Sequence, residues 1–405
     1  MKTQHVGMTI GLYMDYFLLG MINIIFSSNM SFLTTQLKTD NSGISILVSG
    51  IGIGKLITLS VSGRLSDKFG RKPLVVTASF LYLIFLIGIP LAPTYEIAFI
   101  IAIIAGVSNS ILDSGAYPAL IEAFPKNTGL STVLIKAFIS IGAMILPIII
   151  SYIINHNIYY GYSFFVLAFI FFINGSFLTS VRFPNNSTKN DENYINEDHR
   201  FKIKPIMWKE GLATIFMGFT TTTLFMVVQV WLPTYGINIL DMSRTESILL
   251  LSYFNIGSLI SVLIIAIVIN RFVSPIVILI LYPFLTSLSL LILLFSNKPI
   301  LVIICSFLIG FTTAGLFQLC ITVIVEFFPK NKATISAYVS TASSSAFIVI
   351  PFITGQLAKN IDVTAVFWLD FIIAIISIIL ATFVFYRHKK VIKKIVISPS
   401  ISKTL

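Results

Sequence analysis

Apolar runs recur along this chain at a length that fits a lipid bilayer, and that recurrence limits its fold more than any other feature. A helix rising about 1.5 Å per residue needs about 20 predominantly apolar residues to cross a hydrocarbon core about 30 Å thick. Twelve such runs are read at 7–35, 43–62, 73–92, 96–122, 129–154, 160–181, 207–236, 245–269, 275–296, 299–327, 333–357 and 363–386. The runs at 7–35, 96–122 and 207–236 are long enough to imply tilt or extension beyond the bilayer. Composition agrees, with 56% of the 405 residues hydrophobic and 11% charged, against about 25% charged in soluble domains. So few charges cannot cover a water-facing surface, so lipid takes the apolar excess. Backbone groups in lipid must be satisfied within their own segment, and long single runs achieve this as helices. The expected fold class is an all-α membrane protein of 12 transmembrane helices. No short cleavable leader is read before the first run, which is too long for a signal segment and is expected to be a span.

The 27 Lys and Arg outnumber the 16 Asp and Glu, an excess that in other settings marks nucleic-acid binding. Here the basic residues cluster in short gaps between apolar runs, which is how membrane topology is set, so no nucleic-acid partner is expected. With the amino terminus in the cytoplasm, 21 of the 27 fall on the inner side, among them Arg64, Lys68, Arg71, Lys72, Arg182, Arg200, Lys330 and Arg387. The outer side keeps only Lys38, Arg244, Lys298 and Lys359, while Lys55 and Lys136 lie inside runs. Both termini are therefore expected in the cytoplasm. Cys305 and Cys320 share one run about 22 Å apart and cannot bridge. His5, His156, His199 and His388 stand outside or at the edges of runs, so no metal site and no cofactor is expected.

One sizeable hydrophilic insert, 183–205, splits the chain. The expected organisation is an N-terminal six-helix bundle (1–182), a cytoplasmic linker (183–205), a C-terminal six-helix bundle (206–386) and a basic tail (387–405). The halves repeat one another. Glu122-Ala-Phe-Pro-Lys-Asn127 returns as Glu326-Phe-Phe-Pro-Lys-Asn331, and at the same spacing Gly106 meets Gly310 and Pro147 meets Pro351. Parallel six-helix repeats with a site between them at mid-membrane are a known transporter architecture.

The gap after the second run reads Gly63-Arg-Leu-Ser-Asp67-Lys-Phe-Gly70-Arg71-Lys72. It resembles the signature of the major facilitator superfamily (MFS) at every key position, and with twelve runs in two sets of six the resemblance covers essentially the whole chain. Physically, Gly63 can let helices approach, Asp67 can meet the positive end of a neighbouring helix, and Gly70 can permit a tight turn. The resemblance implies that Gly63, Asp67, Gly70, Arg71 and Lys72 act in a cytoplasmic latch that stabilises one access state, not in substrate contact. The matching gap of the second half, Asn270-Arg-Phe-Val-Ser-Pro275, lacks the Asp and both glycines, and a one-sided latch is common in the family. The fourth run, Ala105-Gly-Val-Ser-Asn109 through Asp113 to Tyr117-Pro118, resembles a bacterial branch associated with amino-acid or amine transport or with aromatic-precursor metabolism. Acids in the first and fourth runs also resemble the fucose-type sugar:proton symporters.

Ionisable residues inside spans are costly and mark a cavity or a partner. Asp15, Lys55, Asp113 and Lys136 are read as such, all in the N-terminal half. Lys55 and Asp113 lie about 18 Å from the inner side and Asp15 and Lys136 somewhat shallower. They either pair to hold helices in register or trade those pairs against substrate and protons. On the second reading Asp113, with Asp15, titrates the coupling proton, and Lys55 or Lys136 attracts a substrate carboxylate or steadies the ionised acid. Asn109 belongs to the same candidate set. The C-terminal half, read as nearly charge-free at mid-membrane, offers Gln229, Trp231, Asn255 and Gln318, which either orient a ligand or bond helix to helix. Tyr13, Tyr16, Asn23 and Asn29 are further candidates for the cavity wall, and Glu122 and Glu326 read as structural. Gly50, Gly52 and Gly54 before Lys55 imitate a phosphate loop but lie inside a span and read as packing glycines.

The functional expectation is a monomeric secondary transporter, not an enzyme, in a bacterial cytoplasmic membrane. It moves a small polar solute by alternating access, coupled to protons as symport, with carboxylate-bearing or zwitterionic solutes favoured. The alternatives are proton-driven efflux of drugs or amphipathic compounds and, in another class, a membrane sensor or enzyme on the same scaffold.

Overall fold

The computed structural model describes residues 5–124, 128–184, 201, 203–269, 273–296, 298–329 and 332–392. Among these, twelve helical stretches are long and apolar enough to cross a membrane, in agreement with the twelve runs read from the sequence. The helices are α1 (Val6–Ser28), α2 (Met30–Gln36), α3 (Asn41–Phe69), α4 (Arg71–Leu91), α5 (Tyr95–Ala123), α6 (Thr128–Asn155) and α7 (Tyr162–Ser180), followed by α8 (Leu212–Leu240), α9 (Arg244–Val268), α10 (Pro275–Phe295), α11 (Pro299–Thr313), α12 (Leu316–Phe327), α13 (Lys332–Asn360) and α14 (Val363–Val391). A π-helical turn, Met207–Gly211, leads into α8. Helix α2 extends α1 past a break at Asn29, and α11 and α12 make one span interrupted at Ala314 and Gly315. Gly315 sits at φ +79, in the left-handed region where a side chain is unfavourable.

Local chemistry sets the helix starts. Asp40 accepts a bond from the Gly43 amide at 2.8 Å to cap α3, and Asp362 does the same for Ala365 at the head of α14. Ser243 and Glu246 close a reciprocal capping box on α9. Proline opens α10 and α11, where its missing N–H costs nothing.

Helices α1–α7 pack mainly on one another, as do α8–α14, and the two sets meet chiefly along α3 against α13 and α6 against α9. The repeat has a packing cause. A Cβ at Gly106 would fall on the Ile51 carbonyl, and one at Gly310 on the Phe254 carbonyl, so each half brings two backbones together at an equivalent glycine. One face of the molecule carries Arg64, Lys68, Arg71, Lys72, Arg182, Arg387, Lys389 and Lys390, at the ends of α3, α7 and α14 and the start of α4, and is called the basic face below.

The two halves touch unevenly. Ser45 and Ser49 on α3 donate to the carbonyls of Pro351 and Ile348 on α13, both at 2.9 Å. Ser252 on α9 donates to the Met144 carbonyl on α6 at 2.8 Å, and Lys359 reaches Asp40 at 3.5 Å. Wherever both partners are described, every such bond lies from mid-membrane to the face opposite the basic one. The bundles are joined on that side and parted on the other.

Contrary to the sequence reading, which placed the ionisable residues inside spans all in the N-terminal half, the C-terminal half also buries ionisable groups. Glu210, fully buried, pairs with Arg387 of α14 and accepts the Ile206 amide at 2.8 Å. Asp370 lies fully buried in α14. Glu210 hid at a span edge, where a charge looks interfacial, and Asp370 sits seven residues into an otherwise apolar run. Removing one partner of a buried pair strands the other, at about 3–5 kcal/mol. Arg387→Gln is therefore expected to lower the apparent melting temperature of the purified protein sharply, and Glu210→Gln/Arg387→Gln together to recover much of that loss, both read by thermal unfolding in detergent.

Candidate substrate cavity between the two bundles

Where the halves part, a cavity of about 200 Å³ opens at mid-membrane between them. Its N-terminal wall carries Asn23, Lys55, Asn109, Asp113, Tyr117 and Lys136; its C-terminal wall carries Thr221, Thr222, Gln229, Gln318 and Ser343. The charges stand on one wall and the neutral hydrogen-bonding groups on the other. Asp113 is the hub. Lys55 Nζ lies 3.7 Å from its Oδ2, and the buried Tyr16 hydroxyl donates to its Oδ1 at 3.0 Å. Tyr16 is in turn held edge-on by Tyr117, ring centroids 5.7 Å apart. Lys136 lines the same space and forms no ion pair among the described residues. Asn109, on the turn before Asp113, leaves its Oδ1 without a hydrogen-bond partner. The wall thus presents two ammonium groups against one carboxylate.

The break between α11 and α12 also faces this space, through Thr313, Ala314 and Gly315. Irregular backbone at membrane depth is tolerated where it lines a cavity. Helix α12 starts there, so the positive end of its dipole is directed at the chamber.

Some sequence candidates stand elsewhere. Asp15 is fully buried away from the cavity, accepting from Asn174 Nδ2 at 2.8 Å and from Ser79 Oγ at 3.2 Å, and it pairs with no base among the described residues. Asn255 does not line the cavity; its Nδ2 donates to the Leu251 carbonyl at 2.7 Å and its Oδ1 accepts from Gln229 at 3.4 Å, inside the sealed contact. Tyr13 bonds the Ser131 carbonyl and stacks on Phe138, Asn29 bonds Ser163, and Trp231 donates to Thr354, all in helix packing. Sequence reasoning missed Thr221, Thr222 and Ser343, because hydroxyls in apolar runs are too common to single out.

The basic-face motif is resolved in detail. Gly70 has φ +90, which makes the turn between α3 and α4 possible. Arg71 donates to Asp67 Oδ1 and Ser66 Oγ, both at 2.7 Å, and to Glu122 Oε1 at 3.2 Å, so it ties α3, α4 and α5 together. The Asp67 side chain is 76% exposed and, Arg71 at the start of α4 apart, bonds no neighbouring helix end among the described residues. At Gly63 nothing stands within 4 Å of an added Cβ, so the close approach expected there is not made in this conformation. Both departures follow from the parting of the bundles on this face. Glu122 and its repeat partner Glu326 each pair across helices, the latter with His388 at 2.9 Å, which fits their structural reading.

Sequence and structure comparisons agree on what this arrangement is. The sequence profile of the Major Facilitator Superfamily matches residues 12–296 and 237–403. The MFS-type transporter YfkL of Bacillus subtilis (strain 168) is 45% identical over 390 residues, covering 96% of this chain and 98% of its own. The inner membrane transport protein YdiN of Escherichia coli (strain K12) is 37% identical over 391 residues, covering 96% of this chain and 92% of its own. The D-xylose-proton symporter superposes with a TM-score of 0.76 at 16% identity over 95% of this chain and 98% of its own, and the nucleoside transporter NupG with 0.74 at 13% over 95% and 99%. The chain belongs to the Major Facilitator Superfamily, and it is a membrane-spanning transporter of that family.

Gly52 is where the sealed side is tightest. A Cβ there would stand 2.7 Å from the Phe347 carbonyl carbon across the bundle interface. Gly52→Val is expected to prop α3 off α13. A cysteine placed at Ser49 should then react several-fold faster with a membrane-impermeant maleimide from the face opposite the basic one. The native thiols, Cys305 and Cys320, are buried and add little background.

Proposed function

We propose that the protein is a proton-coupled symporter that takes up a small, polar, carboxylate-bearing or zwitterionic solute across a bacterial cytoplasmic membrane. The observation that carries this reading is the Lys55–Asp113 pair with Lys136, which forms no ion pair among the described residues, beside it on the wall of a chamber between two bundles. The basic face is taken as cytoplasmic from the distribution of Lys and Arg, which makes this the inward-open conformation. The relatives named as inner membrane transport proteins support the location.

The chemistry runs as follows. An anionic group entering the chamber meets Lys136 and the start of α12, two positive features on opposing bundles, so binding draws the bundles together. Thr222, Gln229 and Gln318 donate to or accept from the rest of the solute and set its shape. Asp113 exchanges a proton. When ionised it holds Lys55, and when protonated it releases Lys55 to the substrate, so the charge in the chamber stays low in each state that moves. The moving units are the bundles 1–182 and 206–386, with 183–205 as linker and 387–405 as tail; they rock about the site, and the Gly63–Lys72 loop closes the basic face in the alternate state. Asp15 acts as a fixed strut, held by Asn174 and Ser79. The protein works as a monomer. The efflux alternative draws on no observation of its own.

Uptake into proteoliposomes under an imposed inward proton gradient tests this. Asp113→Asn is expected to abolish accumulation while sparing solute exchange. Lys136→Gln is expected to raise KM for an acidic solute by about ten- to a hundredfold, the cost of one charge-assisted bond of about 1.5–3 kcal/mol. Undiminished gradient-driven uptake by Asp113→Asn removes the proton assignment, and an unchanged KM in Lys136→Gln removes the anion anchor.

A further inference from the structure

A second concavity lies on the basic face, away from the transport chamber. It has a volume of about 590 Å³ and runs between the α3–α4 turn and the segment after α7, with Arg71, Lys72 and Arg182 among its lining residues and Phe69 and Phe183 beside them. Arg71 is committed to Asp67 and Glu122. Lys72 and Arg182 have no carboxylate partner among the described residues, so among these the pocket presents two cations that no acid neutralises.

The start of α4 adds to this. Its first turn contains no acidic residue, and its N-cap, Gly70, has no side chain to cap it. Arg71 and Lys72 therefore sit at the positive end of the helix dipole, an arrangement that disfavours empty space and favours an anion. The surroundings indicate which kind. The pocket lies at the end of α7, where Ser180 lines it, and along that helix Phe172, Ile173 and Phe177 are 52%, 52% and 44% exposed, while Phe69 at the pocket's rim is 58% exposed. A ligand with an anionic head and apolar tails meets cations at the membrane surface and an apolar helix face below it.

We infer that this pocket binds the phosphate group of an anionic phospholipid, with Lys72 and Arg182 as its charge partners, the α4 start as dipole support and the acyl chains lying along α7. The same phosphate chemistry is offered by free inorganic phosphate, and the two sources separate by experiment. The inference does not depend on which solute the central chamber carries.

The test is native mass spectrometry of the purified full chain equilibrated with equal amounts of phosphatidylglycerol and phosphatidylcholine. The protein is expected to retain phosphatidylglycerol preferentially. Lys72→Gln/Arg182→Gln should reduce that retention about tenfold or more, while Lys72→Arg/Arg182→Lys, which keeps the charges, should preserve it. Lys389→Gln/Lys390→Gln, on the same face of the other bundle, should leave it unchanged. Equal loss in this control, or equal retention of the two lipids by the wild type, overturns the site. Displacement of phosphatidylglycerol by millimolar inorganic phosphate overturns the lipid as the source.

Discussion

A lysine and a carboxylate 3.7 Å apart, about 18 Å into the membrane, set the terms for this structure. A single charge at that depth costs about 2.5–3.5 kcal/mol on insertion scales, and the pair is tolerable only inside a chamber that admits water. Lys55 and Asp113 keep 28% and 30% of their side chains exposed, in contrast to Asp15, which is sealed and held by the Ser79 hydroxyl and the Asn174 amide. The need for a wet chamber explains why the bundles do not fuse into one core. It also explains why the facing wall sets the hydroxyls and amides of Thr221, Thr222, Gln229, Gln318 and Ser343 among its apolar side chains, since these groups add no charge.

The second constraint is how the chamber is sealed on one side alone. Between helices in lipid, close packing of small residues replaces the hydrophobic effect as the source of association. Gly52 and the serines at 45 and 49 let α3 lie against the α13 backbone, and serine bonds between α6 and α9 complete the seal. These contacts are backbone-deep but few, weak one by one, and polar, so they can be exchanged for a similar set on the other face. Within each bundle the glycine contacts at Gly106 and Gly310 are internal and unchanged by such rocking. The division between what is fixed and what can move thus follows from where the glycines fall.

Much of this was legible in the chain. Twelve runs, the repeat around Glu122 and Glu326, and the Gly63–Lys72 motif led to the fold, and a depth estimate alone brought Lys55 and Asp113 to one level, with Lys136 read as somewhat shallower. Helix rotation was not legible. Asp15 and Tyr16 are neighbours, yet about 100° of rotation per residue sends Tyr16 to Asp113 and Asp15 to Ser79 and Asn174. Nor was position along a face. Asn255 and Ser258 share one side of α9, but Ser258 borders the chamber while Asn255 lies a turn further into the seal. The break at Ala314 and Gly315 left only a lone glycine as its signal, and Gly63 reads as a packing residue until the open face is seen.

In the proposed mechanism two rigid bundles exchange access to one charged chamber. Spin-label distance measurements between α3 and α13, one pair placed at the basic-face ends and one at the opposite ends, test it most directly. In lipid nanodiscs, lowering the pH or adding a transported solute is expected to shorten the first distance as the second lengthens. Two distances that stay fixed, or that change in the same direction, while the same preparation transports would contradict it.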